Sequence, residues 1–527
     1  MEPQSPSKSK LSVVGWFKLY RILKFCLVFI TILVIFAVFL HGFGIVWRVK
    51  VYFTVVVDCG STGTRVNVYQ WRTNVVKTGD LPVLLHSFPD EMMKKNVWNN
   101  GCRYHCIQTE PGLDKFVGNY TQVKASLEPL IHWAEGVIPR DRHGDTPIFV
   151  LATAGLRRVS LEDAKSVLDD VENVVKEHSL MWKREWIKVL SGREEAYYGW
   201  VALNYKMGYL KNVSRLPTLG LLDLGGSSLQ VVVETDNVRD GSHLLVSKIG
   251  PVEHRLMAYS LPAFGLNQAF DRSVNLVKLV EKDDSFEVRH PCLSSTYVSN
   301  YSCSSCIGRE LSVRLMGEPD WEKCKRLAHS TATNSSISDL SESFLSSCQR
   351  NSRNEGTNAL NLSIGTNPSE RYHALSGFFA VYSMLNLTAK ANVTKIREKA
   401  EHLCSSTWAD QSNVAGSQYC FKILYLASLI DDGLCLGDND IVFGPGDISW
   451  ALGAALVKGE HIWKSGNVLS TLQYAEIISS PIFLFVILSF LLFAVYHCQI
   501  KLPMARKRTD VVGVSLPSYT QSNHRPH

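Results

Sequence analysis

Apolar positions along this chain follow three patterns. The first is continuous: Phe25 to Trp47 and Ile477 to Ile500 are uncharged apolar runs, each longer than the roughly 20 residues that carry a helix across a bilayer. Each predicts a transmembrane helix, and the first is too long for the apolar core of a cleaved signal peptide. The second pattern is short and strand-like. "VVVDCGSTGTRVNVYQW" (Val55 to Trp71) reads as a strand that stops at Asp58 and resumes after Arg65. "TLGLLDLGGSSLQVVVE" (Thr218 to Glu234) repeats that design around Asp223, and "TPIFVLATAGLR" (Thr146 to Arg157) reads as a buried strand entering a small-residue loop. The third pattern is helical, from Leu161 to Lys183 and again in Gly446 to Gly459. "IKVLSGREEAYYGWVALNY" (Ile187 to Tyr205) starts as a strand and continues as a helix, and Tyr372 to Leu387 is a buried, aromatic-rich element. Strands alternating with helices predict an α/β fold, and two similar hairpins predict two lobes.

The segment Asp283 to Ser369 is rich in Ser, Asn and Cys and poorly periodic, and it reads as disulfide-tied loops and insertions. The chain therefore divides into tails at 1–24 and 501–527, membrane helices at 25–47 and 477–500, a first lobe at 48–191, a second at 192–436, and a return to the first at 437–474.

Charge refines the topology. The net charge of +6 owes much to Lys8, Lys10, Lys18, Arg21 and Lys24 and to Lys501, Arg506, Lys507 and Arg508, so it is no nucleic-acid footprint. Positive flanks favour the cytosol. Both tails are expected there, although Arg48 and Lys50 blur the first flank. The intervening segment then faces the lumen of the secretory pathway or the cell exterior. Setting aside Cys26, Cys498 and Cys59 leaves an even set: Cys102, Cys106, Cys292, Cys303, Cys306, Cys324, Cys348, Cys404, Cys420 and Cys435. Such a set fits disulfides in an oxidising compartment. "CSSC" at Cys303 to Cys306 has no second pair at zinc-ligand spacing. Glycosylation acceptors at Asn119, Asn212, Asn300, Asn334, Asn361, Asn386 and Asn392 agree with a luminal or extracellular placement.

The two interrupted strands carry the candidate chemistry. Glycines let backbone approach a bulky anion, and successive N–H groups with hydroxyls make an anion-binding concavity. Asp58 and Asp223 would repel phosphate unless a cation lay between, which implies a divalent metal with oxygen ligands, held through water. A glycine-rich loop ending in Gly-Lys-Ser/Thr and the His-Glu-x-x-His spacing are both absent. The histidines form no constellation along the sequence.

"VVVDCGSTGTR", "ATAGLR", "SGREEAYYGW", "LLDLGGSSLQ" and "YHALSGFF" occur in this order, and together they resemble the apyrases, the ecto-nucleoside triphosphate diphosphohydrolases, most closely the plant members. The resemblance implies a two-lobed fold of the actin, Hsp70 and sugar-kinase type with nucleotide in the cleft. It implies hydrolysis of nucleoside tri- and diphosphates to monophosphate and phosphate, with Ca²⁺ or Mg²⁺ and no nucleic-acid partner. On the matching positions, Asp58 and Asp223 hold the metal through water. Ser61, Thr62 and Gly63 bind one end of the phosphate chain, Gly225, Gly226 and Ser227 the other, and Thr153 and Ala154 donate to the terminal phosphate. Glu195 is the base, Ser228 and Gln230 place the water, and Phe378 and Phe379 are candidates for the nucleobase. Glu194 reads as structural.

The chain departs from the family pattern at Ala196, where Gly is usual, at Leu229, where Thr is usual, and at Cys59 in place of Ala. A positive φ at Ala196 would cost on the order of 1 kcal/mol. Two alternatives stay open: a nucleotide-binding membrane protein with little turnover, and a kinase of the same superfamily.

Overall fold

The computed structural model describes residues 24, 29–32, 51–72, 81–89, 107–210, 217–235, 243–250, 252–281, 286–303, 311–334, 360, 362, 371–390, 392–409, 418–437, 440–459, 485 and 489–490. The chain divides into a unit of Met1–Arg48 with Gly466–His527, and a unit of Val49–Ser465. Both apolar runs lie almost entirely outside the described residues. Among the described residues, no helix is long and apolar enough to cross a membrane.

Val49–Ser465 is a mixed α/β unit. Its first sheet is built from β1 (Val51–Cys59), β2 (Thr64–Arg72), β3 (Val83–Phe88), β4 (Gln108–Thr109), β5 (Ile148–Ala152) and β6 (Ile187–Val189). The order is β3-β2-β1-β5-β6, with β4 paired to β2. The second sheet uses β7 (Gly220–Leu224), β8 (Ser228–Glu234), β9 (Leu244–Ile249) and β10 (Val252–Pro262). After a small sheet of β11 (Glu287–His290), β12 (Val298–Cys303) and β13 (Leu311–Gly317), the chain returns to it as β14 (Arg371–Ser376) and β15 (Asp440–Phe443). Its order is β15-β14-β7-β8-β10-β9.

The two large sheets repeat one plan. β1 pairs antiparallel with β2 and parallel with β5; β7 pairs antiparallel with β8 and parallel with β14. The echo between the two hairpins in sequence is thus an echo between whole sheets. β15 lies in the second sheet, starting four residues beyond the point where the sequence reading ends the second lobe.

Strand alternation separates the cores. On β1, Val55, Val57 and Cys59 pack with helices Tyr120–Val137 and Leu161–Val175, through Leu127 and Val171 among others. On β7 and β8, Leu222, Leu224, Leu229 and Val231 pack with Phe270, Phe378 and Phe421. Val56 from the first sheet and Leu221 and Val232 from the second share a third core with Trp200, Val201 and Leu452. Helix Gly192–Lys206 lies in that shared layer, which explains why every residue from Ala196 to Tyr205 is buried: a helix between two sheets has no solvent face.

Two elements differ from the sequence reading. The predicted loop region from 283 to 369 contains the three-stranded sheet and helix Trp321–Thr333. That helix is polar in composition but capped by Asp320, whose side chain accepts from the Lys323 N–H at 2.9 Å, so its start is set by a local hydrogen bond. A disulfide between Cys292 and Cys324 ties it to the small sheet's connection, and Cys404 and Cys420 form a second bond. The helix predicted to reach Lys183 ends at Val175, because Met181 turns back to pair beside Pro147. The pairing of the remaining cysteines lies outside the described residues, as do the glycosylation acceptors Asn212 and Asn361.

Candidate functional site

Asp58 and Asp223 occupy the same place in the repeated plan. Each is at or next to the last residue of a central strand, and each points away from its sheet's outer core. Asp58 alternates with Val57 and Cys59, and Asp223 with Leu222 and Leu224, so both carboxylates face the shared layer. Both are buried, at 6% and 8% exposure. Across the hairpins, Asp58 lies opposite Arg65 and Asp223 opposite Gln230.

The turns that follow meet each other. The Ser227 hydroxyl donates to the Ser61 hydroxyl at 2.9 Å, and a Cβ added to Gly226 would stand 3.3 Å from Thr62 Cγ2. The first turn is closed by the Gly60 N–H on the Gly63 carbonyl at 2.9 Å. A side chain at Gly63 would lie 2.6 Å from the Thr109 carbonyl, so close backbone approach excludes any other residue there. The second turn is braced by helix Leu266–Glu281, whose Leu266 and Asn267 N–H groups bond the carbonyls of Gly225 and Gly226 at 3.0 and 2.9 Å. Thr153 donates its N–H to the Cys59 carbonyl at 3.1 Å, which places the Thr153–Ala154 loop beside the first turn. Ser228 and Gln230 are buried and joined, Gln230 Nε2 donating to Ser228 Oγ at 2.7 Å.

Glu194 and Glu195 have different tasks although they are neighbours. Glu194 completes a capping box: it accepts from the Ser191 N–H at 2.9 Å while its own N–H bonds Ser191 Oγ at 3.1 Å. Both orphan donors of the helix start are thereby satisfied. Glu195 is left to point inward, where its Oε2 accepts from Arg157 Nη2 at 2.8 Å. Arg157 is held in turn by the Leu190 carbonyl at 3.0 Å.

The electrostatics join the three carboxylates. Burial pushes Glu195 up to about 7; Arg157 works against the rise, and Asp223 and Asp58 add to it. Burial pushes Asp58 up to about 6, with Arg65 opposing and Asp223 reinforcing. Asp223 is also raised by burial, opposed by a hydrogen bond from the Ser376 hydroxyl. Ser376 holds this position at φ 51°, a region L-residues rarely occupy. Negative charges that lift one another's pKa are poised for a cation. Asp58 Oδ1 is buried with no hydrogen-bond partner, which an oxygen-seeking divalent ion, directly or through its water, would satisfy. The donor set fits such an ion.

Three sequence expectations change. Phe378 is fully buried in the outer core of the second sheet, leaving no face for a base; Phe379 is only half-buried and lies beside Gly444. Ala196 is helical rather than at positive φ, so the suspected strain does not arise. Leu229 faces the outer core, opposite to Ser228 and Gln230, so Leu there removes no hydroxyl from the site. Cys59 likewise packs outward as a buried free thiol. Ala196 and Leu229, the two departures that favoured the alternative without turnover, therefore carry no argument for it.

Three site residues escaped the sequence reading. Arg65 and Arg157 close two of the quoted motifs, and that was their only signal. Ser376 stands inside the quoted "YHALSGFF", and that was likewise its only signal.

A sequence model of the GDA1/CD39 (nucleoside phosphatase) family matches residues 47–470. The chain is 38% identical to Probable apyrase 7 of Arabidopsis thaliana over 456 residues, covering 82% of this chain and 60% of that relative. It thus spans 60% of that relative's length. It is 25% identical to Apyrase of Solanum tuberosum over 442 residues, covering 77% of this chain and 87% of that one. A crystal structure of nucleoside triphosphate hydrolases from Neospora caninum matches with a TM-score of 0.53 at 14% identity, over 79% of this chain and 94% of that one. At that identity the likeness speaks for the fold.

Proposed function

Because the chain belongs to the GDA1/CD39 (nucleoside phosphatase) family, we propose that it is an apyrase: it hydrolyses the terminal phosphoanhydride of nucleoside tri- and diphosphates. The observation that carries this reading is the convergence of Asp58, Asp223 and Glu195 on one buried layer beside two touching glycine turns. The repeated sheet plan supports an actin-type arrangement, with nucleotide between the two halves.

In this reading Asp58 and Asp223 would hold Ca²⁺ or Mg²⁺ through its waters, and the ion would supply charge neutralisation. Ser61, Thr62 and Gly63 grip one phosphate, Gly225, Gly226 and Ser227 the next, and Thr153 and Ala154 the terminal one. Ser228 and Gln230 place the attacking water. Glu195 orients it and accepts its proton as the bond to phosphorus forms. Phosphoryl transfer has a loose transition state, so positioning and charge do most of the catalysis. A carboxylate titrating near 7 suits a base working at neutral pH far better than one titrating near 4.

The apolar runs at 25–47 and 477–500 would anchor the protein, with 48–474 in the secretory lumen or outside the cell and both tails cytosolic. The two disulfides and the glycosylation acceptors support that placement.

The test is phosphate release by the detergent-solubilised full-length protein from ATP, ADP, UDP and GDP, with Ca²⁺, Mg²⁺ or chelator. Metal-dependent release is expected, with Glu195→Gln lowering kcat by about 10²–10⁴-fold. A folded wild-type protein that binds nucleotide without releasing phosphate would refute the proposal.

A further inference from the structure

Histidines that form no pattern along the sequence do form one in space. His132 and Glu135 are three residues apart near the end of helix Tyr120–Val137, a spacing that sets both on one face. His178 lies in the turn after helix Leu161–Val175, where the chain leaves the predicted helical path. These helices cover the outer face of the first sheet, opposite the layer that Asp58 faces. We propose that His132, Glu135 and His178 form a second metal site, for a borderline ion such as Zn²⁺, independent of the nucleotide site.

The geometry is that of a partly filled tetrahedron. Glu135 Oε2 lies 3.2 Å from His178 Nδ1 and 3.4 Å from His132 Nδ1. The ligand atoms all lie within 4.8 Å of one another. Zinc bonds to nitrogen and oxygen of roughly 2.0–2.1 Å give tetrahedral edges of about 3.3–3.4 Å, which is the spacing the carboxylate oxygen keeps from both rings. The imidazoles meet edge-on, 4.9 Å between centroids and 75° between planes, so both can point a nitrogen at one centre.

The surroundings orient the ligands. Glu135 Oε1 accepts from the Ser179 N–H at 2.8 Å and from the Ser179 hydroxyl at 2.7 Å, which turns Oε2 toward the histidines. His143 adds to this frame: its Nδ1 is 2.6 Å from Ser179 Oγ and its Nε2 is 3.0 Å from the Glu135 carbonyl. Metal ligands are commonly held by such an outer shell. Burial works against ionisation of Glu135, but the Ser179 and His178 hydrogen bonds outweigh it and hold its carboxyl below the usual range. The His178 side chain is 4% exposed and that of His132 64%. Two ligands are thus fixed by the fold, and the third closes from the solvent side, leaving a fourth position for water.

A single His–Glu ion pair explains less. Glu135 already receives two hydrogen bonds from Ser179 and one contact from His178, and nothing in that scheme requires an exposed histidine to turn its Nδ1 to the same oxygen.

The test uses untagged full-length protein in detergent, stripped with chelator and kept in excess Ca²⁺ so that the oxygen-lined site is filled. Co²⁺ is titrated in and the visible d–d absorption recorded, followed by displacement with Zn²⁺. One equivalent of Co²⁺ with nitrogen-ligated d–d bands, bleached by Zn²⁺, is expected. His132→Ala and Glu135→Gln should abolish the bands, and Ser179→Ala should weaken binding by roughly 10–100-fold. Because His132 is exposed, its substitution should leave circular dichroism and Ca²⁺-dependent phosphate release unchanged. No d–d bands in the wild type, or bands that persist in both ligand variants, would overturn the proposal.

Discussion

The two halves of the candidate site share a backbone plan and differ in what stands opposite the aspartate. In the first hairpin Asp58 faces Arg65, with 3.7 Å between carboxylate and guanidinium. In the second, Asp223 faces the neutral Gln230 and is steadied by the Ser376 hydroxyl. The first half thus supplies part of its own countercharge, and the second does not. On the proposed function the two halves divide the labour. The Arg65 half is suited to gripping phosphate, and the Gln230 half to holding a cation and ordering water beside Glu195.

The largest effect should come from the half without its own cation. Asp223→Asn should lower kcat/KM on the order of 10²–10³-fold, the scale of losing one charge-stabilising group. Asp58→Asn should cost about tenfold less, since Arg65 remains to hold phosphate by charge-assisted hydrogen bonds. Steady-state kinetics at saturating Ca²⁺ checks the ranking; equal losses would erase the proposed division. Next comes Arg157, which holds Glu195 below the value that burial alone would set. Removing that cation disfavours the carboxylate further, so Arg157→Gln should move the acid limb of the pH–rate profile upward by about one unit. A limb that stays in place or falls would mean that Glu195 is not the group being titrated. The smallest effect belongs to Ala196. Glycine in this buried helix should cost about 1 kcal/mol in urea unfolding and leave turnover unchanged. A gain in activity would revive the degenerate-site reading.

These comparisons also mark what could be read along the chain. The two turns were legible because their chemistry is local: Asp, Gly and Ser/Thr between apolar strands specify both the bend and the donors. Strand alternation, applied to the same stretches, would have set Asp58 and Asp223 on the face opposite their apolar neighbours and turned Leu229 away from the site. The Glu195–Arg157 pair was not legible as a pair. It joins a loop after β5 to the start of a helix, and only tertiary packing sets their distance. The small sheet and helix Trp321–Thr333 were missed because their strands are short and polar residues interrupt the apolar pattern, with Ser330 and Thr331 buried in the helix, and a cap and a disulfide define them better than periodicity does. Ser376 stood inside a quoted motif, but its backbone at φ 51° and its role beside Asp223 had no signal in residue type.

The central claim is that both halves act on one ion. The most direct measurement is a double-mutant cycle on Ca²⁺ affinity with Asp58→Asn, Asp223→Asn and the double variant, read from the Ca²⁺ dependence of phosphate release by the full-length protein. If both carboxylates hold one ion, the double variant should lose clearly less than the sum of the single losses, with a coupling of about 0.5–3 kcal/mol. Losses that add to within about 0.5 kcal/mol would mean that the two aspartates serve separate purposes, and the shared-ion account would be wrong.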